Sequence, residues 1–259
     1  FYALGVFQVD DSSLAQDPVS GLPATGQTLE VLRSRAEQGD GSSQYGLGLV
    51  YAFGNGVPQD DAEAFRLFRL AAEQGLDSAQ YSLGVMYREG TGVPQDDAEA
   101  MGWFRLAADQ GFADAQNNLG HMYANGRGVP QDAVEAVRWF RLAAEQGFWD
   151  AQTQLGIAYA SGEGGVPEDD AEAVRWFRLA AEQGDAFAQT ELGSMYRFGD
   201  GVPEDNVLAY MWWNLATAQG DEDARENRAI IEELMTREQI DEAQRLSREW
   251  LEAHPPGGN

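Results

Sequence analysis

Polar and apolar positions along the chain follow a helical period. Across residues 80–88, drawn at about 100° per residue, Gln80, Leu83, Gly84, Met86 and Tyr87 share one side, and Tyr81, Ser82, Val85 and Arg88 share the other. This pattern predicts a helix, A, with its buried face on the first set. Gly90-Thr91-Gly92-Val93-Pro94 then breaks the chain. A second helix, B, is expected from Asp96, where Asp96 and Glu99 have N-cap and capping-box spacing. It runs through Trp103, Phe104 and Leu106 to a stop at Gly111.

The pair of helices recurs. Gly-Val-Pro returns at Val57, Val93, Val129, Val166 and Val202, at steps of 36, 36, 37 and 36 residues. The closing Gln-Gly keeps the same step at Gly39, Gly75, Gly111, Gly147, Gly184 and Gly220. Five units follow, at 39–74, 75–110, 111–146, 147–183 and 184–219, and the doubled Gly164-Gly165 places the one extra residue in a loop. Such units bury their faces only against neighbours, so both ends need caps. Residues 28–38 match the second half of helix B and predict an N-capping half-repeat. Residues 220–253 predict two capping helices, the second opened by a Thr236/Gln239 capping box. Residues 1–27 read as an arm and linker, and 254–259 as a tail. The expected fold is all-α, a right-handed α-α superhelix of five helix pairs.

The unit A-x-x-x-L-G-x-x-Y-x-x-G-x-G-V-x-x-D-x-x-x-A-x-x-W-F-x-x-A-A-x-x-G stands here in Leu83, Gly84, Tyr87, Gly92, Val93, Ala100, Trp103, Phe104, Ala107 and Ala108. It resembles the Sel-one-like repeat (SLR), a relative of the tetratricopeptide repeat. The resemblance covers about 39–219, and the run from Met211-Trp212-Trp213 to Trp250 is similar to the closing segment of many bacterial SLR proteins. It implies a solenoid whose helices A line a concave surface, and a role as a bacterial adaptor that binds other proteins.

The repeat also shows where the units disagree. The regular Gly48, Gly84, Gly120, Gly156 and Gly193 read as close-approach positions, beside Tyr51, Tyr87, Tyr123, Tyr159 and Tyr196 as packing residues. On the opposite side of helix A the columns vary, and Tyr45, Phe53, Tyr81, Arg88, Asn117, His121, Arg197 and Phe198 are the candidate partner-binding residues there. Each also fits an unconstrained exposed position. On helix B, Arg69/Glu73, Arg105/Asp109, Arg141/Glu145 and Arg178/Glu182 have the i,i+4 spacing of exposed ion pairs.

Composition narrows the chemistry. Among 259 residues, 43 Asp plus Glu stand against 17 basic residues, all Arg, for a formal net charge of −26. Such a chain repels polyanions, which argues against nucleic-acid binding. The sequence has no Lys for Schiff bases and no Cys for thiolate chemistry or disulfides. It carries no zinc-protease, nucleophile-elbow or phosphate-loop motif, and of its two imidazoles His254 lies in the tail. The paired acids Asp60-Asp61, Asp96-Asp97 and Asp169-Asp170 sit at helix B starts, where capping explains them better than catalysis or calcium. No catalytic, metal or cofactor site is expected.

The reading is a non-enzymatic scaffold that holds a protein or peptide partner in its concave groove. A second reading rests on Phe1-Tyr2-Ala3-Leu4-Gly5-Val6-Phe7, where Phe1, Tyr2, Leu4 and Phe7 form an apolar arm. Such an arm would anchor the chain in a larger, membrane-associated assembly or fold back into the groove. Some SLR relatives have been linked to cell-wall or β-lactam hydrolysis, a third and weaker option because those relatives are often cysteine-rich. The expected location is extracytoplasmic, periplasmic or at a membrane, with the cytoplasm as the alternative.

Overall fold

The computed structural model describes residues 26–254 and, of their side chains, those from Leu29 onward. Among the described residues there are thirteen helices and no strand. After α1 (Gly26–Glu37), five helices A are α2 (Gly41–Phe53), α4 (Asp77–Glu89), α6 (Ala113–Asn125), α8 (Trp149–Ser161) and α10 (Ala186–Phe198). They alternate with five helices B, α3 (Asp61–Glu73), α5 (Asp97–Asp109), α7 (Ala133–Glu145), α9 (Asp170–Glu182) and α11 (Asn206–Ala218), before α12 (Glu222–Glu232) and α13 (Arg237–Ala253). The fold is all-α, of the α-solenoid class. The described residues form two compact units, one up to Trp139 and one from Phe140, with the boundary inside α7. No helix among the described residues is long and apolar enough to cross a membrane.

Local chemistry sets the helix ends. Each helix A stops at a glycine in the left-handed region, as at Gly90, whose N–H donates to Met86 O. Helices B start on an aspartate: the Asp96 carboxylate accepts from the backbone N–H of Ala98 and Glu99, and Asp60, Asp132, Asp169 and Asp205 cap in the same manner. Glu63, Glu135 and Glu172 have the same capping-box spacing as Glu99, but the reciprocal half of the box does not form at them. These reach outward to Arg66, Arg138 and Arg175, because a guanidinium one turn on attracts the carboxylate more than a backbone N–H does. Thr236 and Gln239 do make a full capping box at α13.

Within each unit the pairs lock by close approach. A Cβ at Gly84 would stand 2.6 Å from the Phe104 ring, at Gly156 2.6 Å from Phe177 and at Gly193 2.7 Å from Trp213. The helix B aromatic therefore lies directly on the backbone of its helix A, as the glycine column predicts. Residue-sized burial of this kind is worth roughly 1.5–3 kcal/mol per large apolar side chain.

The buried glutamine of each helix A ties three elements together. In unit 1, Gln80 Nε2 donates to Ala72 O at the end of α3, and its Oε1 accepts from Gln110 Nε2 at the end of α5, 2.8 Å away. Gln44 repeats this with Ala36 O and Gln74. In unit 2, Gln152 does so with Ala144 O and Gln183, and Gln189 with Ala181 O and Gln219. Carbonyls at a helix end lack intrahelical donors, so each amide satisfies one of them inside the stack.

The C-terminal helices close unit 2. Both α12 and α13 pack on α11, and Tyr210, Trp213 and Ala216 share a core with Ala224, Ile231 and Ala243. Trp250 meets Trp212 edge to face at 6.2 Å, and His254 stacks on Trp250.

Candidate interaction surface

The residues proposed for partner binding fall into three groups. Phe53 and Phe198, the last residues of α2 and α10, are 47% and 70% exposed. Their repeat equivalents Glu89 and Asn125 are also exposed, so this column is an open edge of the helix A face. Tyr45, His121 and Arg197 are half-buried. Burial pushes the Tyr45 hydroxyl above its usual range, and Arg197 pairs with Glu204 at 3.0 Å while lying over the Phe198 ring.

Tyr81, Arg88 and Asn117 differ from the expectation that their side of helix A is open. Tyr81 and Arg88 are 6% and 8% exposed, and Asn117 is equally buried. Tyr81 packs on Phe104 and on Phe112, the residue that leads into α6, with ring centroids 5.7 and 5.1 Å apart. The Arg88 guanidinium donates to Asn118 on α6 and to Glu89, and lies over Phe104. A helix A inside a unit has as neighbours the helix B before it, its own helix B and the helices A before and after it. The side opposite the helices B is therefore divided between strips that pack on the adjacent helices A and a narrow strip that stays open.

Helix B follows its own logic. Arg69 pairs with Glu73 as the spacing predicts. Arg105, Arg141 and Arg178 reach across to the next helix A and donate to the hydroxyls of Tyr123, Tyr159 and Tyr196 at 3.2, 3.0 and 2.8 Å. Tyr123, Tyr159 and Tyr196 are thus both packing residues and hydrogen-bond acceptors.

The capping pattern in the sequence concerns the helix B starts, and a further set of acids lies on the unit 2 helices A and α12. Asp185 caps α10 by accepting from Ala188 N–H at 2.8 Å and also accepts from Thr153 Oγ1 on α8 at 2.9 Å, while burial raises its pKa. Glu191, half-buried in the middle of α10, makes no hydrogen bond or ion pair among the described residues. Burial first, and then Asp221 and Asp223 on α12, hold its carboxyl above the ordinary range. The signal in the sequence was the column itself, since Glu191 stands where other units carry Gly46, Ser82, Asn118 and Gln154. Among the described residues, no group of three or more His, Cys, Asp or Glu side chains is arranged to hold a metal ion. Phe1, Tyr2, Leu4 and Phe7 lie outside the described residues.

Five consecutive stretches, residues 41–76, 77–112, 113–148, 149–185 and 186–221, match the family model of the Sel1 repeat. The chain belongs to the Sel1 repeat family. Solved structures agree with this assignment. A protective antigen present in uropathogenic Escherichia coli strains and displaying an SLR fold is 40% identical, with a TM-score of 0.78 over 88% of this chain and 49% of the antigen. The chain thus spans about half the length of that protein. A Sel1 repeat protein from Oxalobacter formigenes is 32% identical, with a TM-score of 0.75 over 88% of this chain and 92% of its own. No curated protein matches the sequence. Sel1 repeats are typically protein-interaction scaffolds.

Proposed function

We propose that this Sel1 repeat protein is a non-enzymatic scaffold that holds a protein or peptide partner along the open edge of its helices A. The observation that carries this reading is the exposed ring of Phe198, with Phe53 at the equivalent place in unit 1. Neither ring fills a core, and the equivalent positions 89, 125 and 161 are polar. Large aromatic side chains in that setting are typical anchors of protein interfaces. The acids with raised pKa values support the non-enzymatic part. Asp185 caps α10 and ties it to α8 through Thr153 Oγ1, and Asp114 lies within the first turn of α6, raised by burial against an opposing backbone hydrogen bond, so both acids have a place in the helix starts that accounts for them.

Photo-crosslinking in an extract of the native source tests the reading. A benzophenone side chain placed at 53, 125, 161 or 198 should capture a discrete partner, and the same group at the helix B positions 70, 106, 142 or 179 should not. Capture from helix B alone, or a small-molecule turnover that tracks the purified chain, would contradict it.

A further inference from the structure

The helix A face of unit 2 does not end at α10. One 36-residue step carries Asp185 to Asp221, Ala188 to Ala224 and Met195 to Ile231. Asp221 caps α12 as Asp185 caps α10, and Ala224 and Ile231 are buried as their counterparts are. The capping helix α12 therefore takes the place of a sixth helix A. The same step carries Ser194 to Ile230 and Phe198 to Leu234, in the turn after α12. Ile230 and Leu234 are each 64% exposed. Phe198 and Leu234 thus hold equivalent outward positions, and Ile230 stands one turn before Leu234 in the column of Ser194.

Seven residues before Phe198 stands Glu191, and seven before Ile230 stands Asp223. A spacing of seven residues keeps both members on one side of a helix and sets them about 10 Å apart along its axis. The face therefore carries a carboxylate and an apolar side chain two turns apart on each helix, Glu191 in mid-α10 ahead of Phe198 and Asp223 in the first turn of α12 ahead of Ile230, the second pair set four residues nearer the start of its helix. Asp221 adds to these acids, and neither Glu191 nor Asp223 has a cation or hydrogen-bond donor of its own among the described residues. An α-helix with side chains is also about 10 Å across. Lying across α10 and α12, it would set one flank on the acids and the other on the apolar side chains.

We propose that this face of unit 2 docks a basic amphipathic helix of a partner protein, its Arg or Lys side chains on Glu191, Asp221 and Asp223 and its apolar side chains on Phe198, Ile230 and Leu234. The inference rests on the helix A reading above and names the class of partner. Residues 1–25 cannot supply this helix, since they contain three Asp and no Arg or Lys. A second copy would bring a net charge of −26 against these acids.

The test uses the full chain and two synthetic 18-residue peptides that share Leu at i, i+3, i+4 and i+7 spacing. One carries Arg on the flank and the other Glu, and fluorescence anisotropy reads both. The Arg peptide should bind at least tenfold tighter, with an affinity that falls as salt rises. Phe198→Ser with Ile230→Ser should weaken it at least tenfold. Glu191→Gln with Asp223→Asn should do the same and flatten the salt dependence, while Phe53→Ser in unit 1 changes it less than twofold. All these positions are exposed or half-buried, and an unchanged melting temperature confirms folding of the apolar variants. Equal binding of the two peptides, no binding of the Arg peptide, or full affinity in the carboxamide variant would overturn the proposal. Sensitivity to Phe53→Ser alone would overturn it yet leave the helix A reading standing, whereas sensitivity only to Leu142→Ser and Leu179→Ser on helix B would overturn both.

Discussion

A methyl group added at position 84 would meet the Phe104 ring at 2.6 Å, and one added at position 102 would meet nothing within 4 Å. The two glycines are therefore opposites. Gly84→Ala should destabilise by about 1–3 kcal/mol through overpacking. Gly102→Ala, on the exposed side of α5, should stabilise by about 0.5–1 kcal/mol because alanine has less backbone freedom to lose. Urea unfolding followed by circular dichroism measures both. Glu191 gives a test by pH. Its folded pKa lies above the ordinary carboxylate value, so the folded chain holds that proton more tightly than the unfolded chain does. Stability from the protonated form is complete below about pH 4.3 and is lost as pH rises through the raised value. Glu191→Gln keeps the neutral form at every pH. Its melting temperature should exceed the parent's at pH 7, and the gap should close toward pH 3.5 if Glu191 is the group responsible. The carboxylate that opposes folding is also one that the docking proposal uses.

At the scale of the element, helix boundaries were legible because turn glycines and capping aspartates recur with the repeat. The outward side of helix A was not. A helical wheel divides a helix into a side that packs and a side that does not, and it contains no information about the next helix A in the stack. Tyr81 and Arg88 fall on the wheel's empty side and are both buried in α4. Tyr81→Ala should therefore cost about 3 kcal/mol or more, as removal of a buried aromatic does, and lower the melting temperature while leaving the helical spectrum intact. Had the open side included Tyr81, the melting temperature would not move. The glutamine ties belong to the same scale. Gln189→Leu removes the donor to Ala181 O and the acceptor for Gln219, so a loss of about 1–3 kcal/mol is expected from a residue that is fully buried. The wheel placed these glutamines in the core correctly, but their partners at i−8 and i+30 are products of stacking.

For the molecule as a whole, repetition made the fold class readable from sequence and the end of the repeat hid part of the surface. The columns of helix A stop at Phe198 if α12 is read only as a cap, and Ile230 and Leu234 then look like stray apolar residues. Placing α12 in register with α10 makes them the continuation of a face. The same helices protect the core: deletion of 221–259 would uncover Tyr210, Trp212 and Trp213, and the truncated chain should aggregate or fray from that end in light scattering and hydrogen exchange. The central claim is that partners are held along the open edge of the helices A. Its most direct test is the affinity of the crosslinked partner, once recovered, for the parent chain and for a Phe53→Ser/Phe198→Ser variant, with melting temperatures measured alongside. Loss of at least tenfold in affinity with the melting temperature unchanged is the predicted result, and full affinity in that variant would contradict the account.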